Sequence, residues 1–208
     1  MALIPKTIVK STRVNPKSIV LFAKPKVGKS TMVASLPNSL LIDLEDGSDY
    51  LDAMKVNVLA VAKAENKQPL QVIQELIAEI KQMNADKGGY AFKYGILDTV
   101  TAAEDLVLPL AGDLYRNTTQ GRNWQGSDVR SLPNGAGYLY TREALAMFIN
   151  MFRELFETVI IIGHLKDKLI EKEGKEMNER GLDLAGKSGP LLCSQVDAVG
   201  YVYRDNDG

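Results

Sequence analysis

Residues 18–31 read SIVLFAKPKVGKST. The apolar run at the start of this stretch, residues 18–23, predicts a buried strand, and residues 30–36 predict a short helix stopped by Pro37. Between the strand and the helix lies the phosphate-binding pattern G-x-x-x-x-G-K-S/T, except that Ala23 stands in place of the first glycine. A chance match rarely follows a strand and opens a helix, so the context favours a nucleotide site.

This loop is expected to hold phosphate mainly through its backbone. Successive N–H groups face the phosphate oxygens, and the helix that follows directs the positive end of its dipole at them. Within the pattern, Lys29 is expected to reach the β- and γ-phosphates, Ser30 to ligate Mg²⁺ and Thr31 to touch the α-phosphate. The predicted nucleotide-binding residues of the loop are Lys26, Val27, Gly28, Lys29, Ser30 and Thr31.

Apolar strand-like runs alternate with amphipathic helical runs along the rest of the chain. Strands are predicted at residues 39–43, 56–62, 94–98, 158–164 and 196–203, and helices at residues 70–83, 101–114 and 141–156. This alternation predicts an α/β fold, a doubly wound and mostly parallel sheet with helices on both faces. We expect one domain over residues 1–208, with residues 1–17 as a lead-in, and leave open an antiparallel C-terminal edge.

Acidic residues follow the carboxyl ends of two of these predicted strands. Asp98 closes one strand, where a magnesium–nucleotide site needs a carboxylate; capping the next helix is its alternative role. Glu45 follows another strand and is the candidate base that orients water, with Asp43 and Asp46 as alternatives. The sequence therefore offers one metal ligand and one base for phosphoryl chemistry.

The chain's only histidine, His164, lies where the strand at residues 158–164 ends. A lone histidine is often structural, and that alternative stays open here. Ligands of a doubly wound sheet bind at the carboxyl ends of its strands. Because Ser30, Glu45, Asp98 and His164 all follow such ends, we expect one edge of the sheet to bring them together.

Composition and charge are those of a globular protein. Hydrophobic residues make up 45% of the chain, enough for a sizeable core. The 25 Lys and Arg are balanced by 26 Asp and Glu, which argues against a surface coated with basic residues for duplex binding but leaves a local basic groove possible. The single cysteine, Cys193, excludes an intramolecular disulfide. With no signal-peptide pattern in residues 1–17 and no long apolar run, we expect a soluble, cytoplasmic protein.

The order of these motifs resembles the RecA-type recombinase core. In that core a P-loop is followed by a strand reading I-D-x-E, then an apolar strand ending in Asp-Ser/Thr, then a strand ending in Gln or His. The corresponding residues here are Lys29-Ser30, Ile42-Asp43-Leu44-Glu45, Leu97-Asp98-Thr99 and Gly163-His164, and the match runs from about residue 18 to 204. With PKVGKS in the loop and IDLEDG at the second strand, the chain is similar to phage-encoded single-domain RecA-like ATPases of recombination and single-strand annealing.

This resemblance implies a Mg²⁺-dependent, DNA-stimulated ATPase with ATP and Mg²⁺ as cofactors. Lys29, Glu45 and His164 would be catalytic, with His164 contacting the γ-phosphate. Ser30 and Asp98 would hold the metal, and Asp49 would lie near the adenine. The expected partners are single-stranded DNA, further copies of the chain in a ring or filament with ATP at or near the subunit interface, and a single-stranded-DNA-binding protein; no membrane is expected, and phage origin would place the protein in the host cytoplasm.

The resemblance also implies two DNA-facing loops, at residues 116–138 and 166–187. The candidate DNA-binding residues are Arg116, Arg122, Trp124, Arg130 and Lys187. An aromatic side chain among basic ones suits base stacking with backbone contact. Packing of Trp124 onto the body or onto a neighbouring subunit is the alternative. The mixed charges of the second loop also fit a solvated face or a hairpin.

Two other functions remain compatible with the sequence. A small-molecule (nucleotide) kinase also begins with a P-loop, and Arg116, Arg122 and Arg130 would then be lid arginines. A non-catalytic ATP switch, such as a helicase-loading partner, would bind ATP without needing Glu45.

At the C-terminus, residues 201–208 resemble a strand that enters a hairpin turn at residues 206–208.

Overall fold

The computed structural model describes residues 7–8, 10–11, 15–172 and 175–205. The strands are β1 (Ser18–Ala23), β2 (Ser39–Asp43), β3 (Lys55–Asn57), β4 (Tyr94–Asp98), β5 (Thr158–Lys172), β6 (Lys175–Leu182) and β7 (Ala198–Tyr201). The helices are α1 (Lys29–Ala34), α2 (Val58–Glu65), α3 (Pro69–Lys87), α4 (Val100–Leu106), α5 (Leu108–Arg116), α6 (Ala136–Leu155) and α7 (Ser188–Gln195). Within these described ranges, no helix combines the length and apolar character needed to cross a bilayer.

The strands form a mostly parallel sheet in the order β3-β2-β4-β5-β1-β7. Successive strand residues point to opposite faces, and each face has its own core. Val20 and Ile161 belong to the larger core, whereas Leu41 and Ile96 pack with Val33 of α1 in the smaller one. Burial on both faces explains why the strands read as continuous apolar runs. The predicted doubly wound α/β fold is confirmed.

The register of the sheet brings the carboxyl ends of its central strands together. Ala23 at the end of β1 pairs with His164, and Asp43 at the end of β2 pairs with Asp98 at the end of β4. β5 lies between β1 and β4, so His164 stands between the P-loop and Asp98. The expected edge therefore exists, and it carries the predicted site residues.

The prediction of a strand at residues 56–62 is wrong for most of that range. Only its first residues belong to a strand, and a helix begins at Val58. Asn57 causes the change, because its side chain accepts a hydrogen bond from the Ala60 amide at 2.9 Å and caps the helix. Val58 and Ala62, four residues apart, are buried on one side of it.

The helix predicted at residues 101–114 is two helices, broken at Val107, with Pro109 in the first turn of the second. The loop predicted at residues 116–138 is correspondingly shorter. Its first residue still belongs to α5, α6 already starts at Ala136, and two short 3-10 turns lie between. The segment is therefore not one long loop, because its 3-10 turns pack against α6.

The second predicted loop, residues 166–187, is mainly a β-hairpin, the alternative that its mixed charges allowed. β5 continues beyond His164, and β6 pairs with it antiparallel. The antiparallel pairing therefore lies here, whereas the C-terminal strand β7 is parallel to β1. The turn predicted at residues 206–208 lies outside the described residues.

Candidate functional site

The P-loop connects β1 to α1 through two residues with positive φ. Gly28, directly before α1, has φ 101°, a value that glycine adopts without steric cost. Lys26 has φ 63°, which costs a residue with a Cβ about 1 kcal/mol. Ala23 is the last residue of β1 and keeps the backbone of the strand, so the missing first glycine leaves the loop intact.

Lys29 lies under this loop. Its side chain is buried, and its ammonium donates hydrogen bonds to the carbonyls of Ala23 and Lys24, each at 3.3 Å. Burial lowers the pKa of Lys29, and the negative charges of Asp98 and Glu45 oppose that shift. A phosphate would add acceptors to a cation that is already oriented within the loop.

Ser30 and Asp98 meet beside Lys29. The Ser30 hydroxyl donates to Asp98 Oδ2 at 2.5 Å. Burial raises the pKa of Asp98, the Ser30 hydrogen bond opposes this, and the charges of Asp43 and Glu45 reinforce it. An added cation would relieve the repulsion among these carboxylates.

These two side chains suit Mg²⁺, which prefers hard oxygen ligands and is commonly held by one or two protein groups together with phosphates and water. Among the described residues, no group of three or more His, Cys, Asp or Glu side chains forms a metal cage. A metal held by Ser30 and Asp98 would therefore take its other ligands from a nucleotide and from water.

Glu45, Thr99 and His164 form a second cluster at this edge. The Thr99 hydroxyl donates to Glu45 Oε1 at 2.5 Å. His164 Nε2 lies 3.0 and 3.1 Å from the two carboxylate oxygens of Glu45. Since a carboxylate can only accept, the imidazole donates from Nε2. The Glu45 side chain is 36% exposed, so the carboxylate is held from two sides yet remains open to water.

Asp43, an alternative candidate for the base, instead accepts hydrogen bonds from the loop that follows it. Its carboxylate accepts from the backbone amides of Glu45, Gly47 and Ser48 at 2.9–3.0 Å and from the Ser48 hydroxyl at 2.6 Å. It is 2% exposed. Asp43 therefore shapes the loop that presents Glu45.

Asp46, the other alternative base, accepts a hydrogen bond from the side chain of Asn57. Of the three acids, Glu45 is the one that contacts His164 and Thr99. Asp49 is exposed in the same loop, and Thr31 is exposed on α1.

Thr99 is the residue of this cluster that no sequence-based role covered. It is 2% exposed and also caps α4, because its hydroxyl accepts from the Ala102 amide at 3.2 Å. The available signal was its position directly after Asp98, which brings it near the ends of the neighbouring strands.

The match to a known family covers all of these features. Residues 15–207 match the family model described as an AAA domain. The chain belongs to this family. As an AAA domain, it is a nucleotide-binding domain of the P-loop ATPase type, which agrees with the sheet order and the P-loop geometry. No curated protein matches the chain. The narrower RecA-like recombination type stays a prediction.

The candidate DNA-binding residues of this AAA domain lie mostly in internal contacts. Trp124 is half-buried, packs edge-on against Tyr115 at 5.5 Å, and has the Arg116 guanidinium 5.0 Å from its ring. Arg116 also pairs with Asp113 at 2.8 Å. The packing alternative for Trp124 therefore describes its position, and its contact with DNA stays a prediction.

The remaining candidate DNA-binding residues differ in ion pairing and in solvent exposure. Arg130 pairs with Asp105 at 2.7 Å and Asp128 at 2.9 Å. Arg122 is exposed, as is Lys187 directly before α7. A role in DNA binding for these residues stays a prediction as well.

Proposed function

We propose that this AAA domain hydrolyses ATP, with Mg²⁺ as its cofactor. The observation that carries the proposal is the Glu45–Thr99–His164 cluster beside Ser30 and Asp98. A P-loop alone supports binding, whereas a half-exposed carboxylate at its γ-phosphate end supports a reaction with water. The arrangement thus supports hydrolysis over binding alone.

In the proposed reaction, the backbone of the P-loop and Lys29 hold the triphosphate. Mg²⁺, bound by Ser30, Asp98 and phosphate oxygens, would supply charge neutralisation. Glu45 orients a water and takes its proton as the water oxygen bonds to the γ-phosphorus. The bond from that phosphorus to the bridging oxygen breaks, and ADP leaves with the electron pair. Thr99 and His164 hold Glu45 in position, and in this proposal His164 also responds to the γ-phosphate.

The kinase alternative receives less support from these contacts. A lid needs basic side chains that are free to close over an acceptor, but Arg116 and Arg130 are paired with acids within the chain. Formation of ADP and phosphate without any acceptor would agree with hydrolysis. Transfer to a nucleoside monophosphate would instead favour the kinase.

We extend the proposal to a homo-oligomer whose hydrolysis is coupled to single-stranded DNA, as in recombination or annealing. Its support is the motif order together with a chain of hydrogen bonds that leaves the site. The Asp183 amide donates to the His164 carbonyl at 2.9 Å, the His164 amide donates to the Thr101 hydroxyl at 3.3 Å, and that hydroxyl donates to the Asp183 carbonyl at 3.2 Å. These contacts join His164 to Asp183, on the segment that leads to Lys187, and so support the proposed coupling.

The test measures phosphate release by the purified chain with Mg²⁺-ATP, with EDTA in place of Mg²⁺, and with single-stranded DNA added. We expect release that EDTA abolishes and DNA increases. ATP binding without release under any of these conditions would refute hydrolysis and favour the ATP switch of a helicase-loading partner. Absence of DNA binding at low salt, with either ADP or ATP bound, would remove the DNA part alone.

A further inference from the structure

A groove beside the P-loop plays no part in the chemistry described so far. Its volume is about 650 Å³. We call it the tyrosine groove; its walls include Lys24, Val27, Arg180, Tyr201, Tyr203 and Arg204. Two of these residues belong to the P-loop itself, and three belong to β7 and the residues that follow it. The groove therefore adjoins the phosphate site on the side of β7.

Tyr203 presents a free aromatic face in this groove. Its ring stacks on that of Tyr201, with centroids 5.8 Å apart and an interplanar angle of 19°. Tyr203 is nevertheless 65% exposed, so the face turned away from Tyr201 meets solvent. An aromatic ring held nearly parallel to a second one, with its outer face open, is prepared for another planar group.

The tyrosine pair is fixed to the sheet and not left on a free tail. The Tyr201 ring packs against Phe22 of β1, with centroids 5.6 Å apart. The Val202 amide donates to the Phe22 carbonyl at 3.0 Å, which extends the pairing beyond β7. The groove therefore keeps its position relative to the P-loop.

The order of the strands determines which end of a bound nucleotide would reach this groove. Asp98, Glu45 and His164 mark the γ-phosphate end, at the strand ends of β4, β2 and β5. The tyrosine groove lies on the other side of the P-loop, next to β7. From β4 to β7 there are three strand spacings, about 14 Å, a distance on the scale of a nucleoside triphosphate. A triphosphate along the loop thus directs its nucleoside toward the tyrosines.

We propose that the nucleobase of the bound purine nucleotide stacks on Tyr203 in the tyrosine groove. This inference rests on the proposed nucleotide function. The cationic side chains of Lys24, Arg180 and Arg204 in the walls suit a base that is attached to phosphate. The competing position for the base is the loop after β2, where Asp49 was predicted to lie near adenine.

The experiment separates the base from the phosphates by using two probes, Mg²⁺-ATP and inorganic tripolyphosphate with Mg²⁺. Calorimetric titration gives the affinity of each probe for the full chain. The variants are Tyr203→Ala, Tyr203→Phe and Asp49→Ala. The matched control is Tyr138→Ala, which removes an exposed tyrosine that lies on α6, away from the groove.

We expect Tyr203→Ala to weaken ATP binding about tenfold, the size of one base–aromatic stack, and to leave tripolyphosphate binding unchanged. Tyr203→Phe keeps the ring and should bind ATP like the wild type, as should the Tyr138 control. Unchanged tripolyphosphate binding also shows that the variant is folded.

Three results would overturn the inference. These are wild-type ATP affinity in Tyr203→Ala, an equal loss for both probes in that variant, and a selective loss of ATP affinity in Asp49→Ala instead. A wild-type chain that binds neither probe is a different failure, because it removes the proposed function on which the inference rests.

Discussion

Replacing Glu45 by Gln removes one charge from the site while keeping the shape of the side chain. The Glu45 carboxylate accepts from Thr99 Oγ1 at 2.5 Å and from His164 Nε2 at 3.0 Å. A glutamine oxygen can accept both hydrogen bonds, so the side chain should keep its position. What the variant loses is the ability to take a proton from water.

The size of the effect follows from that single loss. A positioned general base contributes roughly 10²- to 10⁴-fold to a rate, or about 3–5 kcal/mol at 1.36 kcal/mol per tenfold. Nucleotide affinity should be equal or higher, because a negative charge is removed close to the γ-phosphate. We therefore expect the rate of the hydrolysis step to fall at least 100-fold while the Kd for ATP does not rise.

The assay is single-turnover phosphate release from bound Mg²⁺-ATP, combined with a binding titration. Asp46→Asn, which likewise removes one charge and keeps the side-chain shape on the same loop, is the matched control and should retain a rate close to that of the wild type. A Glu45→Gln rate within threefold of the wild type would show that Glu45 does not orient the water, and a large loss in the Asp46 variant would transfer that role to Asp46.

Two further predictions concern contacts that position the site and the sheet. Thr99→Val removes the hydroxyl that holds Glu45, so kcat should fall about tenfold with little change in KM, and Thr99→Ser should restore it; equal activity in the Val variant would show that the hydrogen bond is not used. Asp197→Ala removes acceptors for the Ser18 and Lys17 amides at 2.8 and 2.7 Å and should lower the free energy of unfolding by about 1–2 kcal/mol in urea titrations. Because these hydrogen bonds, that from Ser18 first, lower the pKa of Asp197, its contribution is present above the unfolded pKa of about 3.9 and disappears as the pH falls through the folded value. A difference between wild type and variant that stays constant down to pH 2 would contradict this assignment.

The central part of the fold was predictable because its signals are local. Apolar runs such as that at residues 158–164 are buried on both sides of the sheet, and each ends where a polar side chain is needed. Parallel pairing then brings Glu45, Asp98 and His164 to one edge without any knowledge of distances. The family match and the sheet order agree with this interpretation of the P-loop.

The errors arose where tertiary structure competes with a local pattern. Residues 56–62 are apolar enough for a strand, but capping by Asn57 and burial of Val58 and Ala62 on one side make them helical. The resemblance predicted a loop at residues 166–187, yet β5 extends there because β6 supplies its partner, which is the hairpin that the mixed charges allowed.

The position of Trp124 depends on packing against Tyr115 nine residues earlier, and although Tyr115 belongs to α5, Trp124 itself lies in no helix or strand. The Thr99–Glu45 hydrogen bond likewise joins strand ends that only the folded sheet brings together. The packing of Trp124 leaves no signal in the local sequence, and the only local signal for Thr99 was its position directly after Asp98.

Binding of Mg²⁺-ATP to Lys29→Ala, compared with the wild type and with Lys81→Ala on the exposed face of α3, tests most directly whether the P-loop holds a nucleotide. Lys29 is the buried ammonium of the loop, and loss of charge-assisted hydrogen bonds to two phosphates costs about 3 kcal/mol. We predict an ATP affinity at least about 100-fold lower for Lys29→Ala and wild-type affinity for Lys81→Ala. Equal ATP affinity in all three proteins would contradict the nucleotide site itself.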